Sequence, residues 1–226
     1  MRKGFHNDLD WLEDRTEEGL GMARDALETV LAAIAESSET LADAVIEGDD
    51  RIDNINHLIQ SETLGIIARQ APVASDLRLL TGLGYMATHI ERMGDCSVNI
   101  AKLAKLAGPV AYSPDIVRRL VAMGNALLLM IDQAARAFVT RDVALARNLA
   151  ERDDPIDEAN RLIFQVAVGP AIPNDAREWA GYMLLCGRAL ERLGDHIVDL
   201  GEQIAFIVTG EFEEFTDASH AVLRDK

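Results

Sequence analysis

Four segments of this chain place two carboxylates four residues apart: Asp49 with Asp53, Glu91 with Asp95, Asp153 with Asp157, and Glu191 with Asp195. In a helix that spacing puts both acids of a pair on one face, one turn apart. Their surroundings repeat as well. Glu91-Arg92-Met93-Gly94-Asp95 parallels Glu191-Arg192-Leu193-Gly194-Asp195, and Asp49-Asp50-Arg51-Ile52-Asp53 parallels Asp153-Asp154-Pro155-Ile156-Asp157. Like charges at this spacing destabilise a helix by about 0.2–0.5 kcal/mol per pair, so converging two pairs requires basic side chains or a cation. Oxygen-only ligands from two facing helices suit hard divalent cations or iron, and bridging carboxylates are compatible with a multinuclear cluster. Asn99, Asp199 and Glu202 continue the same stripe. The acids also read as a solvated face, because relative to the leucine seam of their helices they fall outward. Both readings stand on sequence alone.

The neighbours refine the chemistry. Gly94 and Gly194 each cost a helix about 1 kcal/mol relative to Ala, so they predict close approach of another helix or an ion. Pro155 departs from the first copy and predicts a kink inside the second motif. Arg92 and Arg192 read as ion-pair partners on the surface. His196 follows Asp195 and so points about 100° away around the helix, which predicts surface placement rather than ligation. His6, His57, His89 and His220 form no ligand spacing. The Glu-x-x-His of di-iron bundles is missing from the sequence, as are a P-loop, a dinucleotide fingerprint and a Gly-x-Ser-x-Gly elbow. Cys96 and Cys186 lack Cys-x-x-Cys spacing and read as reduced core thiols.

Positioning such pairs demands long helices, and the sequence supplies them. Hydrophobic residues make up 49% of the chain and aromatics only 5%, with Gly and Pro dividing it into long segments of helical periodicity. Six helices are predicted: Asn7 to Ala35, from a cap at Ser37 or Ser38 to Ala68, from just after Pro72 to Leu106, Pro114 to Ala137, Asp142 to Val168, and Asp175 to Val208. Ser113 caps the fourth, with Pro114 at its first position, and Gly210 closes the sixth. Cys186, Leu190, Leu193, Ile197, Leu200, Ile204 and Ile207 alternate steps of four and three, as do Leu79, Leu83, Met86, Ile90, Met93, Ser97 and Ile100. That spacing packs long helices at shallow angles. The fold expected is all-α: two tandem three-helix bundles over residues 1–107 and 114–210, related by an internal repeat, with a frayed tail over 211–226.

Charge and hydropathy bound the partners. Acidic residues outnumber basic ones 38 to 22, for a formal charge of -16, which opposes direct binding to nucleic acid. The first residues pass at once into His6, Asp8 and Asp10 rather than an apolar signal stretch, so the expected location is the cytoplasm. No apolar run approaches the ~18 residues of a membrane span, so any membrane role is peripheral.

At these residues the chain resembles the PhoU family. The resemblance is carried by Val45-Ile46-Glu47-Gly48-Asp49, Gln70-Ala71-Pro72-Val73-Ala74-Ser75-Asp76-Leu77-Arg78, the two Glu-Arg-x-Gly-Asp motifs with His196 after the second, and Ile207-Val208-Thr209-Gly210-Glu211. The second half offers Ile172-Pro173-Asn174-Asp175-Ala176-Arg177 where the first has its fuller proline segment, so that segment's role is not carried over. The resemblance implies a non-enzymatic regulator that restrains the phosphate ABC transporter, through its ATPase subunit, and a phosphate-sensing histidine kinase when phosphate is plentiful. It also implies iron or zinc clusters on the acidic motifs, and a homodimer is expected from the long helical faces; other divalent cations suit the same oxygens. A metal-dependent phosphate-ester hydrolase and a metal-free helical scaffold are the alternatives.

Overall fold

A computed structural model of the chain describes residues 2–170 and 172–215. It contains α1 (Arg2–Glu36), α2 (Glu39–Gln70), α3 (Ala74–Ala107), α4 (Pro114–Thr140), α5 (Val143–Ala167) and α6 (Arg177–Thr209), with one 3₁₀ turn at Asn174–Ala176 before α6. There are no strands among the described residues. None of these helices is long and apolar enough to cross a membrane.

Local chemistry sets the boundaries. The Ser38 hydroxyl accepts from the Leu41 amide, Ser113 does the same for Ile116 with Pro114 at the first turn, and the Asp142 carboxylate accepts from Ala144 and Leu145. Each satisfies amide donors that the first helical turn leaves without partners. Gly210 ends α6 at φ 81°, a left-handed conformation that glycine adopts without a Cβ penalty. α1 begins several residues before the predicted Asn7, and Phe5 packs against the core. Pro155 has no amide for the helical ladder, yet α5 runs unbroken through it.

Within each half the three helices pack on one another, and α3 and α6 then pack along each other across the repeat, while α1 also meets α4. The α3–α6 pair is antiparallel. Gly82 faces Ile207, His89 faces His196, and the Cys186 thiol approaches the Ile100 carbonyl at 4.0 Å. Both predicted seams are interior; Leu83, Met86, Met93, Leu190, Leu193 and Ile204 are fully buried.

The predicted frayed tail is held in its first residues. Phe212 stacks on Phe206 with ring centroids 4.0 Å apart, Arg147 pairs with Glu213 at 2.6 Å, and the Phe215 amide donates to Glu202 Oε1 at 2.7 Å. The rest of that tail, 216–226, lies outside the described residues.

Candidate metal centre

The first acidic cluster forms where α2 and α3 come close. A Cβ at Gly94 would stand 3.1 Å from Ile52 Cδ1 and 3.3 Å from Asp49 Oδ1, so a glycine there lets the Asp49 carboxylate lie against the α3 backbone. Burial, with Asp53 and Asp95 nearby, pushes the Asp49 carboxyl up to about 6, against the opposing charge of Lys102. Glu91 is raised for the same reasons: burial first, then the charges of Asp95 and Asp53, with Arg92 and His57 opposing. Asp49, Asp53, Glu91 and Asp95 therefore share one field. Arg92 offsets part of it, with Nε 3.4 Å from Glu91 and Nη1 3.1 Å from Asp95, as its expected pairing role requires.

The second half repeats this arrangement between α5 and α6. Asp153 Oδ1 lies directly over Gly194, with Leu127 Cδ2 closing the same space 3.2 Å from where a Cβ would be. Asp153 is only 2% exposed, and the Asp157 and Glu191 side chains are 13% and 15% exposed. Asp195 is raised, first by partial burial and then by Asp157, while Arg188 and His196 oppose the shift. Asn160 Nδ2 donates to Glu191 Oε2 at 3.3 Å, Arg188 pairs with the same carboxylate, and Arg161 lies 3.9 Å from Asp157.

Of the two readings left open by the sequence, the solvated face holds for Asp95, whose side chain is 47% exposed, but not for Asp153, Asp157 and Glu191. The carboxylates do point away from the α3–α6 seam, but each of those helices has a second covered face, occupied by α2 or α5. A seam pattern identifies only one buried side of a helix, and here both flanks are occupied.

The stripe beyond the clusters serves other contacts. Asn99 is exposed beside Cys96 and Arg92 in the groove between α3 and α6. Asp199 Oδ2 lies 3.3 Å from His89 Nδ1 and 3.4 Å from His196 Nδ1. Glu202 accepts the Phe215 amide, and burial raises its carboxyl. His196, predicted at the surface, is only 19% exposed in its side chain and faces His89 across the seam. The sequence carried no sign of that meeting, because 107 residues separate the two rings.

The eight carboxylates form two oxygen-only groups, the donor chemistry that hard cations take. The Asp49, Glu91 and Asp195 carboxyls are held above the ordinary carboxylate range by burial first and by neighbouring carboxylates second, and the glycine beneath each group leaves out the methyl that would crowd it.

The PhoU domain profile matches the chain twice, over residues 17–104 and 120–204, so that each match spans one acidic cluster. The chain belongs to the PhoU family. Among its PhoU relatives, the phosphate-specific transport system accessory protein PhoU homolog 1 of Thermotoga maritima is 32% identical, over 92% of this chain and 90% of the relative. PhoU homolog 2 of Mycobacterium tuberculosis is 30% identical, over 94% of this chain and 100% of its own length. The crystal structure of PhoU from Pseudomonas aeruginosa superimposes with a TM-score of 0.86 at 25% identity, covering 92% of this chain and 100% of that one. The all-helical fold expected from the sequence is thus the one observed.

Proposed function

We propose that this chain is a cytoplasmic regulator of phosphate uptake, acting by contact with the ATPase subunit of a phosphate ABC transporter and with a phosphate-sensing histidine kinase, and restraining both when phosphate is plentiful. The observation that carries this reading is the pair of matched four-carboxylate clusters, each wedged between two helices of its own half, in a chain whose relatives are named as accessory proteins of phosphate-specific transport. With a cation bound, such clusters would fix helices against one another. Iron or zinc would be held by Asp49, Asp53, Glu91 and Asp95 in the first half and by Asp153, Asp157, Glu191 and Asp195 in the second. The charge of a bound ion would offset the burial and the carboxylate repulsion that together raise Asp49, Glu91 and Asp195.

Accessory action by contact fits this arrangement better than catalysis. The clusters carry charge-balancing Arg92, Arg161 and Arg188 rather than a base poised at an open substrate site. Coupling to phosphate status then requires only that a partner prefer one packing of the helices over another. The long helical faces suit a homodimer as the working unit.

A phosphate-starvation reporter in the native host at high phosphate tests the proposal, comparing wild type, a deletion, and a strain carrying Glu91→Ala with Asp95→Ala. Derepression in the deletion is expected, and derepression in the double variant at unchanged protein level ties regulation to the acidic cluster. A silent deletion in a host with no second copy of the family overturns the regulatory reading.

A further inference from the structure

The α3–α6 seam joins the two halves, and one place on it carries a ligand set of a different kind from the acidic clusters. His89 of α3 and His196 and Asp199 of α6 each present a ligand atom within 4.8 Å of the others. Asp199 Oδ2 is 3.3 Å from His89 Nδ1 and 3.4 Å from His196 Nδ1. A tetrahedral ion with bonds of about 2.0–2.1 Å holds its ligand atoms about 3.3 Å apart, so these spacings are already those of a zinc-like coordination edge.

Hydrogen bonding leaves this site incomplete. His89 Nδ1 is shut off from solvent and makes no hydrogen bond among the described residues; its approach to Asp199 is close but not aligned for one. A buried ring nitrogen without a hydrogen-bond partner is costly in either tautomer, and a Lewis acid bound to its lone pair satisfies it together with the facing carboxylate.

The internal repeat supplies a control within the same molecule. Positions related by the repeat offset put Ala189, Cys96 and Asn99 where the other side of the seam has His89, His196 and Asp199. Cys96, Asn99 and Ala189 do line one groove between α3 and α6, as the antiparallel packing requires. The repeat therefore does not generate the His-His-Asp set as a by-product.

We propose that His89, His196 and Asp199 bind one divalent transition ion of the zinc type, with a water in the fourth position, and that this ion clamps α3 of the first half to α6 of the second. Imidazole nitrogens suit zinc, cobalt or nickel, whereas the all-oxygen clusters suit harder ions, so the two kinds of site differ in selectivity. The clamp is independent of the acidic clusters and of the regulatory reading.

The test titrates the metal-free full-length chain with Co²⁺ in excess Mg²⁺, which occupies the oxygen sites, and reads the visible absorption of nitrogen-ligated cobalt. One equivalent is expected, retained by Glu91→Ala with Asp95→Ala and lost in both His89→Gln and His196→Gln. Imidazole resonances of the unmodified chain provide a second reading that does not depend on any variant folding. Adding Zn²⁺ is expected to shift His89 and His196 and to leave the exposed His6 in place. Unshifted His89 and His196 resonances, or an undiminished cobalt equivalent in both folded histidine variants, overturn the proposal.

Discussion

Asp153 of α5 occupies the space beside Gly194 of α6 that any side chain at position 194 would need. Gly194→Ala therefore gains helix propensity but drives a methyl into a carboxylate that is 2% exposed and cannot swing clear. The expected net loss is about 1–3 kcal/mol, since overpacking outweighs the ~1 kcal/mol propensity gain. Gly94→Ala meets Ile52 Cδ1 at 3.1 Å and Ile52 Cγ2 and Asp49 Oδ1 at 3.3 Å, contacts that shifts of a few tenths of an ångström relieve, so it is expected to be near neutral. Urea midpoints of the two variants check the asymmetry, and equal losses would refute it.

The metal-free protein should become less stable as pH rises through the range in which Asp49 ionises. Its folded carboxyl titrates at about 6, above the ordinary value of 3.8, so the folded state holds a proton more tightly than the unfolded chain does. Stability from this group is then full below about pH 4 and is lost as pH climbs through about 6. Glu91 and Asp195 are raised and act in the same direction. In chelator, the urea midpoint is expected to be higher near pH 5 than near pH 7, and Asp49→Asn to flatten that difference.

Removing carboxylates from the first cluster should have opposite effects with and without metal. In chelator, Glu91→Gln with Asp95→Asn relieves like-charge repulsion and is expected to raise stability by about 0.5 kcal/mol. With Mn²⁺ at about 100 times its dissociation constant, the unmodified chain gains about 2.7 kcal/mol per occupied site, and the variant forgoes one such gain. Thermal melts with and without Mn²⁺ read both signs; a variant that gains as much as the parent would remove Glu91 and Asp95 from the ligand set.

The docked segment after α6 contributes to stability. Phe215 packs against the core beside Gly201, and its amide satisfies Glu202. Phe215→Ala should cost about 1–2 kcal/mol, less than a fully buried phenylalanine because the residue is only partly buried. A chain ending at Gly210 should lose at least as much, since Arg147 then also loses Glu213. Denaturant unfolding of both forms measures this, and an unchanged midpoint would show the segment to be passive.

The seams, the caps at Ser38 and Ser113, and the repeat were legible because each is written in local spacing or in one side chain beside its own helix. The pairing of Gly94 with Asp49 was half-legible: an interior glycine announces close approach but not what approaches. The burial of Asp153 was hidden, since one apolar seam gives no count of a helix's covered faces. The meeting of His89 with His196 was hidden more deeply, because it depends on the register in which α3 and α6 slide past one another. Docking of Phe212 and Phe215 likewise follows from a groove that only the assembled bundle possesses.

The antiparallel α3–α6 seam also bears on how such a chain can diversify. In a dimer of identical three-helix subunits joined the same way, every substitution would appear on both sides of the seam at once. Covalent tandem linkage releases that constraint: position 96 carries cysteine while its counterpart is His196, and position 99 carries asparagine while its counterpart is Asp199. One polypeptide can therefore keep its duplicated carboxylate machinery intact and still evolve a lopsided feature at its centre, a freedom closed to a symmetric ancestor.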